Sequence, residues 1–292
     1  MVDVNAETFN TTADIIKQSL TDKTKAIVPV HLFGQSTDME PIIALAKEEG
    51  LYIIEDNAQA IGADYTFRNG TTKKTGTIGH IGCTSFYPSK NLGCYGDGGA
   101  IYTNDEALGH RIQMVANHGQ SEKYLHSILG VNSRLDSIQA AVLDIKLKRL
   151  DNYAQARQNA AAYYDQALQE VDAIAIPIRQ FNSTHVFHQY TIKVRNGKRD
   201  ALKAYLSEKG IPSMIYYPLP LYKQDAYKSF YTNKAPLKIT EELCKEVLSL
   251  PMHTELTEEM QDQIVNEIKS FFSSKKEPTL RMKRPLLTRG LK

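Results

Sequence analysis

Three polar residues stand where predicted strands end, and their side chains are of types that do chemistry. Asp56 ends the apolar run LYIIED, and Ser85 and Lys90 follow the start of the next run, HIGCTSFY. In an open α/β sheet, ligands bind beyond the carboxyl ends of the strands. A lysine there can form a Schiff base with an aldehyde, and an acid can keep a pyridinium nitrogen protonated. An acid and a lysine on neighbouring strand ends are therefore what pyridoxal phosphate (PLP) requires.

Taken singly, these residues have simpler interpretations. A loop lysine is usually a solvated surface charge, and an aspartate after a strand usually caps a helix or makes a turn. His31, in PVHLFG, is better interpreted as a structural hydrogen-bonding residue than as a catalyst. The combination is more informative, because Lys90 is followed by a glycine-rich run that lets backbone approach a ligand closely: Gly93, Gly96, Gly98 and Gly99.

Other chemical motifs fail. The run GCYGDGGAI is not GxGxxG, because Ile101 stands where the third glycine would be. Neither GxxxxGK[ST] nor HExxH occurs. The three cysteines, Cys83, Cys94 and Cys244, form no CxxC pair and no Cys/His zinc pattern. Dinucleotide, P-loop and metal-dependent chemistry are therefore not predicted.

Strand and helix patterns alternate in the first half of the chain. Apolar, β-branched runs predict strands over residues 25–34, 51–56, 80–87 and 98–104. Residues 37–49 predict a helix that Asp38 can cap, and residues 67–76 predict a surface hairpin. This order is typical of an α/β fold with a mainly parallel sheet and flanking helices.

The second half predicts a smaller α+β unit. Residues 133–170 have apolar side chains at three- and four-residue spacing without Gly or Pro, which predicts one long helical stretch. A strand is predicted over residues 185–194, and helices are predicted over residues 199–210, 240–250 and 257–272. Residues 273–292 carry seven Lys or Arg and one Glu, and are predicted to be a disordered basic tail.

Composition limits the class of protein. The 292 residues are 42% hydrophobic and 23% charged, which is typical of a globular chain. The net charge of +2 gives no general case for nucleic acid binding. The sequence has no apolar run of 18 residues and no signal peptide at its start, so no membrane partner is predicted. The odd number of widely spaced cysteines favours the reducing cytoplasm.

Several long motifs, in order, resemble the DegT/DnrJ/EryC1/StrS family of sugar aminotransferases. They lie between residues 2 and 272 and include KAIVPVHLFGQSTDM, IIEDNAQAIGA, GHIGCTSFYPSKNLGCYGDGGAIYTND, GVNSRLDSIQAAVLDIKLKRLD and GIPSMIYYPLPLYKQ. The resemblance implies a PLP enzyme of the aspartate-aminotransferase fold, fold type I. It assigns residues 1–150 to the large PLP-binding domain, and residues 151–272 to a linking helix and a small C-terminal domain.

The resemblance also implies roles for site residues. Lys90 corresponds to the Schiff-base lysine that moves protons at the substrate carbon, and Asp56 to the partner of the pyridine nitrogen. The other expected cofactor contacts are Ala58 on the ring face, Gln59 near the ring hydroxyl, Ser85 at the phosphate, and Asn132, which reaches the phosphate from the neighbouring subunit. No metal ligand is implied.

The implied reaction moves an amino group from glutamate to a nucleotide-linked keto-sugar, in a homodimer with shared sites. Arg134 is a candidate carboxylate clamp and Tyr217 a candidate substrate contact, although both also fit an ion pair or packing at a dimer interface. Tyr216 and Tyr222 stand where many relatives have histidine, which leaves the sugar open. The motifs CYGDGG and Tyr-Tyr-Pro resemble members that act on UDP-linked 3-keto-uronic acids.

One departure concerns the front of the chain. Family members carry roughly 90–110 residues before the position of Met1, so the resemblance implies that the N-terminal part of the large domain is missing. That part is expected to hold a helix N-terminus that grips the cofactor phosphate. Two alternatives therefore stand beside the aminotransferase: a sugar dehydratase of the same family, which the presence of Lys90 disfavours, and a catalytically silent partner that dimerises with a complete relative.

Overall fold

The computed structural model describes residues 1–231 and 235–273. Its strands are β1 (Ala26–Ile27), β2 (Tyr52–Asp56), β3 (Asp64–Thr66), β4 (Thr72–Lys74), β5 (Ile81–Ser85), β6 (Gly99–Tyr102), β7 (Gln120–Glu122), β8 (Leu125–His126), β9 (Ile174–Ala175), β10 (Tyr190–Val194) and β11 (Val247–Leu250). Its helices are α1 (Ala13–Lys17), α2 (Met39–Glu49), α3 (Glu106–Ala116), α4 (Ser137–Leu147), α5 (Leu150–Leu168), α6 (Arg199–Glu208), α7 (Lys238–Glu246) and α8 (Glu258–Ser273). The predicted basic tail, apart from Ser273, lies outside the described residues.

The first sheet has the order β1-β2-β5-β6. Strands β1, β2 and β5 are parallel, and β6 pairs with β5 in the antiparallel direction. Helices α1 and α2 cover one face of this sheet, where Ile16, Ile42 and Leu45 pack against Ile27 and Ile53. The predicted α/β class with a mainly parallel sheet is confirmed, and the predicted surface hairpin is formed by β3 and β4.

Strand β2 sends its side chains alternately to the two faces of this sheet. Ile53 and Glu55 are buried on the face that α2 covers. Tyr52 and Asp56 point to the opposite face, where Tyr52 is 62% exposed and Ile101 of β6 is 55% exposed. In the described part of the chain, the face that carries Asp56 is therefore open to solvent.

The first predicted strand, residues 25–34, is much shorter than expected. Proline lacks the N–H that a strand interior uses, and beyond Pro29 only an isolated bridge joins Val30 to Asp56. Leu32–Gly34 form a 3-10 turn in which Gly34 has φ +108°. A Cβ on Gly34 would lie 2.9 Å from the backbone nitrogens of residues 187 and 188, so only glycine fits there.

The second sheet is antiparallel, with β10 between β9 and β11. Helices α5, α6 and α8 pack on it around a single core that includes the fully buried side chains of Tyr164, Tyr190, Leu202, Leu206 and Ile268. This core contains no side chain from the parallel sheet. The second half of the chain therefore stabilises itself largely through its own apolar contacts.

Three boundaries differ from the sequence prediction. The long helical stretch is two helices, because the backbone turns between α4 and α5 at Arg149, with φ −114° and ψ 3°. The predicted helix over 240–250 ends at Glu246, and its last residues form β11 because they pair with β10. The predicted strand over 185–194 begins only at Tyr190, since Phe187 has φ +43°.

Residues 185–189, here called the crossing segment, connect the two halves. Three consecutive carbonyl groups of this segment accept hydrogen bonds from side chains. Gln158 donates to His185 O at 3.2 Å, Asn91 to Val186 O at 2.8 Å, and Arg157 to Phe187 O at 3.0 Å. The residue that follows Lys90 is thus tied directly to the crossing segment.

The core of the second half gives the first prediction. Leu206→Ala should lower the free energy of unfolding by about 2–5 kcal/mol, because it opens a cavity beside fully buried neighbours. The matched control Ser207→Ala, exposed on the same helix, should change it by less than about 0.5 kcal/mol. Urea unfolding followed by circular dichroism measures both, and equal effects of the two substitutions would contradict the described packing.

Candidate active site

The loop that carries Lys90 is folded tightly on itself. The Lys90 N–H donates to Tyr87 O at 2.9 Å, and the Cys94 N–H donates to Phe86 O at 2.8 Å. A Cβ on Gly93 would lie 2.4 Å from Pro88 O. The sequence pattern indicated that the glycines here leave room for a ligand. Gly93, however, is needed because the loop packs closely against its own backbone at this position.

Helix α4 fixes the far side of this loop. Lys146 donates from Nζ to Gly93 O at 2.6 Å, and the Tyr95 N–H donates to Gln139 Oε1 at 2.8 Å. The buried Cys94 Sγ lies within hydrogen-bond distance of Phe86 O and Gly96 O, and its single hydrogen is donated to one of them. Lys90 therefore projects from a loop held on both sides, and its backbone position does not depend on a ligand.

Lys90 and Asp56 act on each other electrostatically. Partial burial lowers the pKa of the Lys90 amine, and the nearby Asp56 carboxylate opposes that shift. The register of the sheet explains this proximity, because Asp56 pairs with Cys83 and β5 leads from there into the Lys90 loop. The acid and the amine that the sequence placed on neighbouring strand ends do lie together.

Asp56 and Gln59 are held by a short turn that follows β2. The Ala58 N–H donates to Asp56 Oδ1 at 3.0 Å. Gln59 Oε1 accepts the Phe33 N–H at 2.6 Å, and Gln59 Nε2 donates to the Tyr217 hydroxyl at 3.4 Å. These contacts fix the orientation of the Gln59 amide and bring Tyr217, from the second half of the chain, to the same strand end.

The Tyr217 hydroxyl lies near the Asp56 carboxylate. Burial raises the pKa of the Tyr217 hydroxyl, and Tyr216 and Asp56 raise it further, whereas the Gln59 hydrogen bond opposes them. Tyr216 and Tyr217 also line a mainly apolar cavity of about 400 Å³, together with Phe9, Phe33, Leu219 and Cys244. Both predicted tyrosines therefore border the same cavity, and Tyr217 links it to Gln59.

The remaining predicted residues lie in two places. Ser85 ends β5 near Asp56, and its Oγ accepts the Tyr87 N–H at 3.2 Å. Asn132 and Arg134 lie on an exposed stretch before α4, where Arg134 Nε donates to Asn132 Oδ1 at 3.2 Å and Asn132 bridges to Asn117. Among the described residues, this hydrogen bond and this bridge thus join Asn132 to Arg134 and to Asn117.

The sequence prediction missed Glu55, which is fully buried directly before Asp56. Its carboxylate accepts hydrogen bonds from His31 Nε2 at 2.9 Å and from the backbone N–H groups of Gly76, Ile78 and Gly79 at 2.8, 2.7 and 2.5 Å. Burial alone would raise the pKa of Glu55, but the hydrogen bonds outweigh it and the pKa is lowered. The available signal was an acid inside an apolar run, since a buried acid must be paired.

A second group missed from the sequence lies behind Lys90. Burial, together with the charges of Lys90 and Arg157, lowers the pKa of His188 to about 3, so this imidazole is neutral. Its Nδ1 and the Asn91 Oδ1 are buried without a hydrogen-bond partner among the described residues. His31, in contrast, has the structural hydrogen-bonding role that the sequence predicted.

Neither a metal centre nor a membrane span is found in residues 1–231 and 235–273. No group of three or more His, Cys, Asp or Glu side chains there is arranged to hold a metal ion. No helix within the same ranges has the length and apolar character needed to cross a membrane.

Comparison with known proteins gives a consistent match. The profile of the DegT/DnrJ/EryC1/StrS aminotransferase family matches residues 1–269. The "Pleiotropic regulatory protein" of Geobacillus stearothermophilus is 47% identical over 273 residues, which are 93% of this chain and 72% of that protein. The "UDP-2-acetamido-2-deoxy-3-oxo-D-glucuronate aminotransferase" of Pseudomonas aeruginosa is 42% identical over 252 residues, which are 86% of this chain and 67% of that protein.

Solved structures agree in fold. A DegT DnrJ EryC1 StrS aminotransferase from Brucella abortus superposes with a TM-score of 0.85 at 41% identity, covering 94% of this chain and 73% of that chain. A Bacillus subtilis protein with bound cofactor PMP superposes with a TM-score of 0.83 at 32% identity, covering 94% and 62% of the two chains. The predicted PLP-type aminotransferase fold and the predicted dependence on PLP are confirmed.

The buried Glu55 gives the second prediction. Because the folded-state pKa of Glu55 is lowered, its contribution to stability is present above the unfolded pKa of about 4.3 and is lost as pH falls through the folded-state pKa. Glu55→Gln should cost about 3 kcal/mol at pH 7 and make the loss of stability below about pH 4.3 less steep. Urea unfolding between neutral and acidic pH measures this.

The matched control for this measurement is Glu49→Gln, at the exposed end of α2. It should stay within about 0.5 kcal/mol of the unmodified chain at neutral pH. A Glu55→Gln protein with unchanged stability and an unchanged acid profile would show that the four hydrogen bonds contribute nothing measurable.

Proposed function

This chain belongs to the DegT/DnrJ/EryC1/StrS aminotransferase family, and we propose that it moves an amino group from glutamate to a nucleotide-linked keto-sugar. The observation that carries the proposal is that the Lys90 amine lies close enough to Asp56, at the open end of the parallel sheet, for their charges to interact. An amine and an acid so placed fit the aldehyde and the ring nitrogen of PLP. When bound, PLP supplies an electron sink that stabilises negative charge at the substrate carbon.

Each role follows from a contact of the chain's own residues. Lys90 holds the cofactor and then carries the proton to and from the substrate carbon, for which an amine with a lowered pKa is suited. Asp56 keeps Oδ2 for the ring nitrogen while Oδ1 accepts the Ala58 N–H. Gln59, oriented by Phe33 and Tyr217, would bind the ring hydroxyl.

The ring face and the phosphate of the cofactor are assigned to other residues. Ala58, beside Asp56, would pack on the ring face, and the Ser85 hydroxyl, half-buried at the end of β5, would donate to the phosphate. Asn132 reaches the phosphate of a second copy of the chain. Its exposed position, turned toward Asn117 and Arg134, supports a role in a neighbouring site.

The substrate is a UDP-linked 3-keto-uronic acid in this proposal. The Pseudomonas aeruginosa relative is named for such a sugar, and Arg134 supplies a guanidinium for its carboxylate. Tyr216 and Tyr217 border the apolar cavity next to Gln59, where they contact the sugar. The product is an amino sugar of the kind that is used to build surface polysaccharides.

A homodimer with shared sites is part of the proposal. The stretch around Asn132 and Arg134 exposes large apolar side chains, with Leu129 97% exposed, Ile138 76% exposed and Ile145 65% exposed. Exposed apolar patches of this kind mark interaction surfaces, and a second copy brings Asn132 with it. The proposed location is the cytoplasm.

The third prediction concerns Lys90. The purified chain mixed with PLP should show an absorption band near roughly 410–430 nm, from the cofactor linked to lysine, and Lys90→Ala should abolish it. Lys73→Ala, at the exposed strand β4, is the matched control and should retain the band. Visible absorption spectroscopy before and after borohydride reduction measures the linkage.

The outcomes separate the competing interpretations. A band that survives Lys90→Ala would remove Lys90 from its role. No band in the unmodified chain, with activity appearing only after addition of a full-length relative, would favour the catalytically silent partner. An assay of amino transfer from glutamate to the keto-sugar, in which the 2-oxoglutarate released is measured, tests the donor and the acceptor.

The fourth prediction concerns Asn132 and the shared site. Lys90→Ala and Asn132→Ala should each be inactive as pure proteins, whereas a refolded equal mixture should recover about a quarter of the full activity. Half of the dimers are then mixed, and each mixed dimer has one intact site. Sedimentation measures the dimer, and a mixture that stays inactive while dimers form would place Asn132 in its own chain's site.

A further inference from the structure

We propose that the buried pair of Glu55 and His31 stabilises the protonated form of the cofactor ring through its electric field. Its net negative charge lies one residue from Asp56, on the opposite face of β2, and favours a positive charge on the ring nitrogen that Asp56 contacts. This inference rests on the proposed function, because it needs PLP to be paired with Asp56.

The hydrogen bonds fix the charge of His31. The Thr37 backbone N–H, which can only donate, points to His31 Nδ1 at 3.0 Å, so Nδ1 carries no hydrogen. The other ring nitrogen, Nε2, therefore carries the hydrogen and donates it to Glu55 Oε2 at 2.9 Å. A ring with one hydrogen is neutral, and the pair as a whole keeps the charge of the carboxylate.

No cation balances this charge nearby. The three other donors to Glu55 are backbone N–H groups, and in residues 1–231 and 235–273 no Lys or Arg side chain forms an ion pair with Glu55. Both side chains are completely buried. Solvent and salt therefore screen the charge weakly, and its field extends across the strand to the Asp56 face.

The same pair also holds the Asp56 backbone. The Asp56 N–H donates to Pro29 O at 2.9 Å, and the His31 N–H donates to Asp56 O at 3.0 Å. His31 thus contacts Glu55 through its ring and Asp56 through its backbone. A buried anion behind Asp56 specifically favours a protonated ring.

The test changes the charge at one position while keeping a donor there. His31→Lys places a cation beside Glu55 and neutralises the pair. His31→Gln is the matched control, because its amide donates to Glu55 without adding a charge. Glu55→Gln removes the anion by an independent route, so the two neutralising variants must agree. Circular dichroism first confirms that each variant is folded.

The pKa of the Cys83 thiol can report the electric field of the Glu55–His31 pair in the absence of cofactor. It is the register partner of Asp56 in β5, and burial together with Asp56 raises the pKa of its thiol. Neutralising the pair should lower the Cys83 pKa by about half a unit or more, whereas His31→Gln should leave it unchanged. The pH dependence of iodoacetamide alkylation, followed by mass spectrometry of the Cys83 peptide, measures this.

The second readout uses PLP labelled with ¹⁵N at the ring nitrogen. The neutralising variants should move its chemical shift toward the unprotonated ring, and His31→Gln should not. An unchanged Cys83 pKa in both neutralising variants would overturn the proposal, as would a shifted Cys83 with an unchanged ring nitrogen. Failure of the chain to take up PLP would count against the proposed function and leave the Cys83 result valid.

Discussion

The alternation of side chains along β2 is the constraint on which the site depends. One residue sends a carboxylate into the core, and the next sends a carboxylate to the open face. The inner one, Glu55, accepts hydrogen bonds from His31 and from the turn at residues 76–79, so that two separate segments meet behind the strand. The outer one, Asp56, is therefore presented from a backbone that cannot shift without breaking a buried hydrogen-bond network.

The reactive groups are positioned by backbone contacts more than by one another. The Lys90 loop is closed by its own carbonyl groups and by Lys146 of α4, while Gln59 is oriented by the N–H of Phe33. Such a site is preorganised, because the protein does not need the ligand to arrange it. The crossing segment extends this order into the second half, through Asn91 next to Lys90.

Sequence alone predicted the parallel sheet, the strand ends and the proximity of Lys90 to Asp56, because each follows from local periodicity and from the rule for strand ends. It did not predict where β11 begins, since no Gly or Pro separates it from α7 and only pairing with β10 decides. The break at Arg149 was hidden, and the acid inside the apolar run indicated only that Glu55 must be paired, not with which groups. Both depend on partners distant in the chain, namely the packing of α5 on α8 and the donors around residues 31 and 76–79.

The arrangement of the second core has a consequence for biosynthesis. Helix α5 packs on α8, whose residues are synthesised about a hundred positions later, and β11 likewise follows β10 by more than fifty. During synthesis, the apolar side chains of Tyr164, Tyr190 and Leu202 therefore stay partly uncovered until α8 has left the ribosome. During that interval these apolar side chains are uncovered, which favours self-association of the unfinished chain.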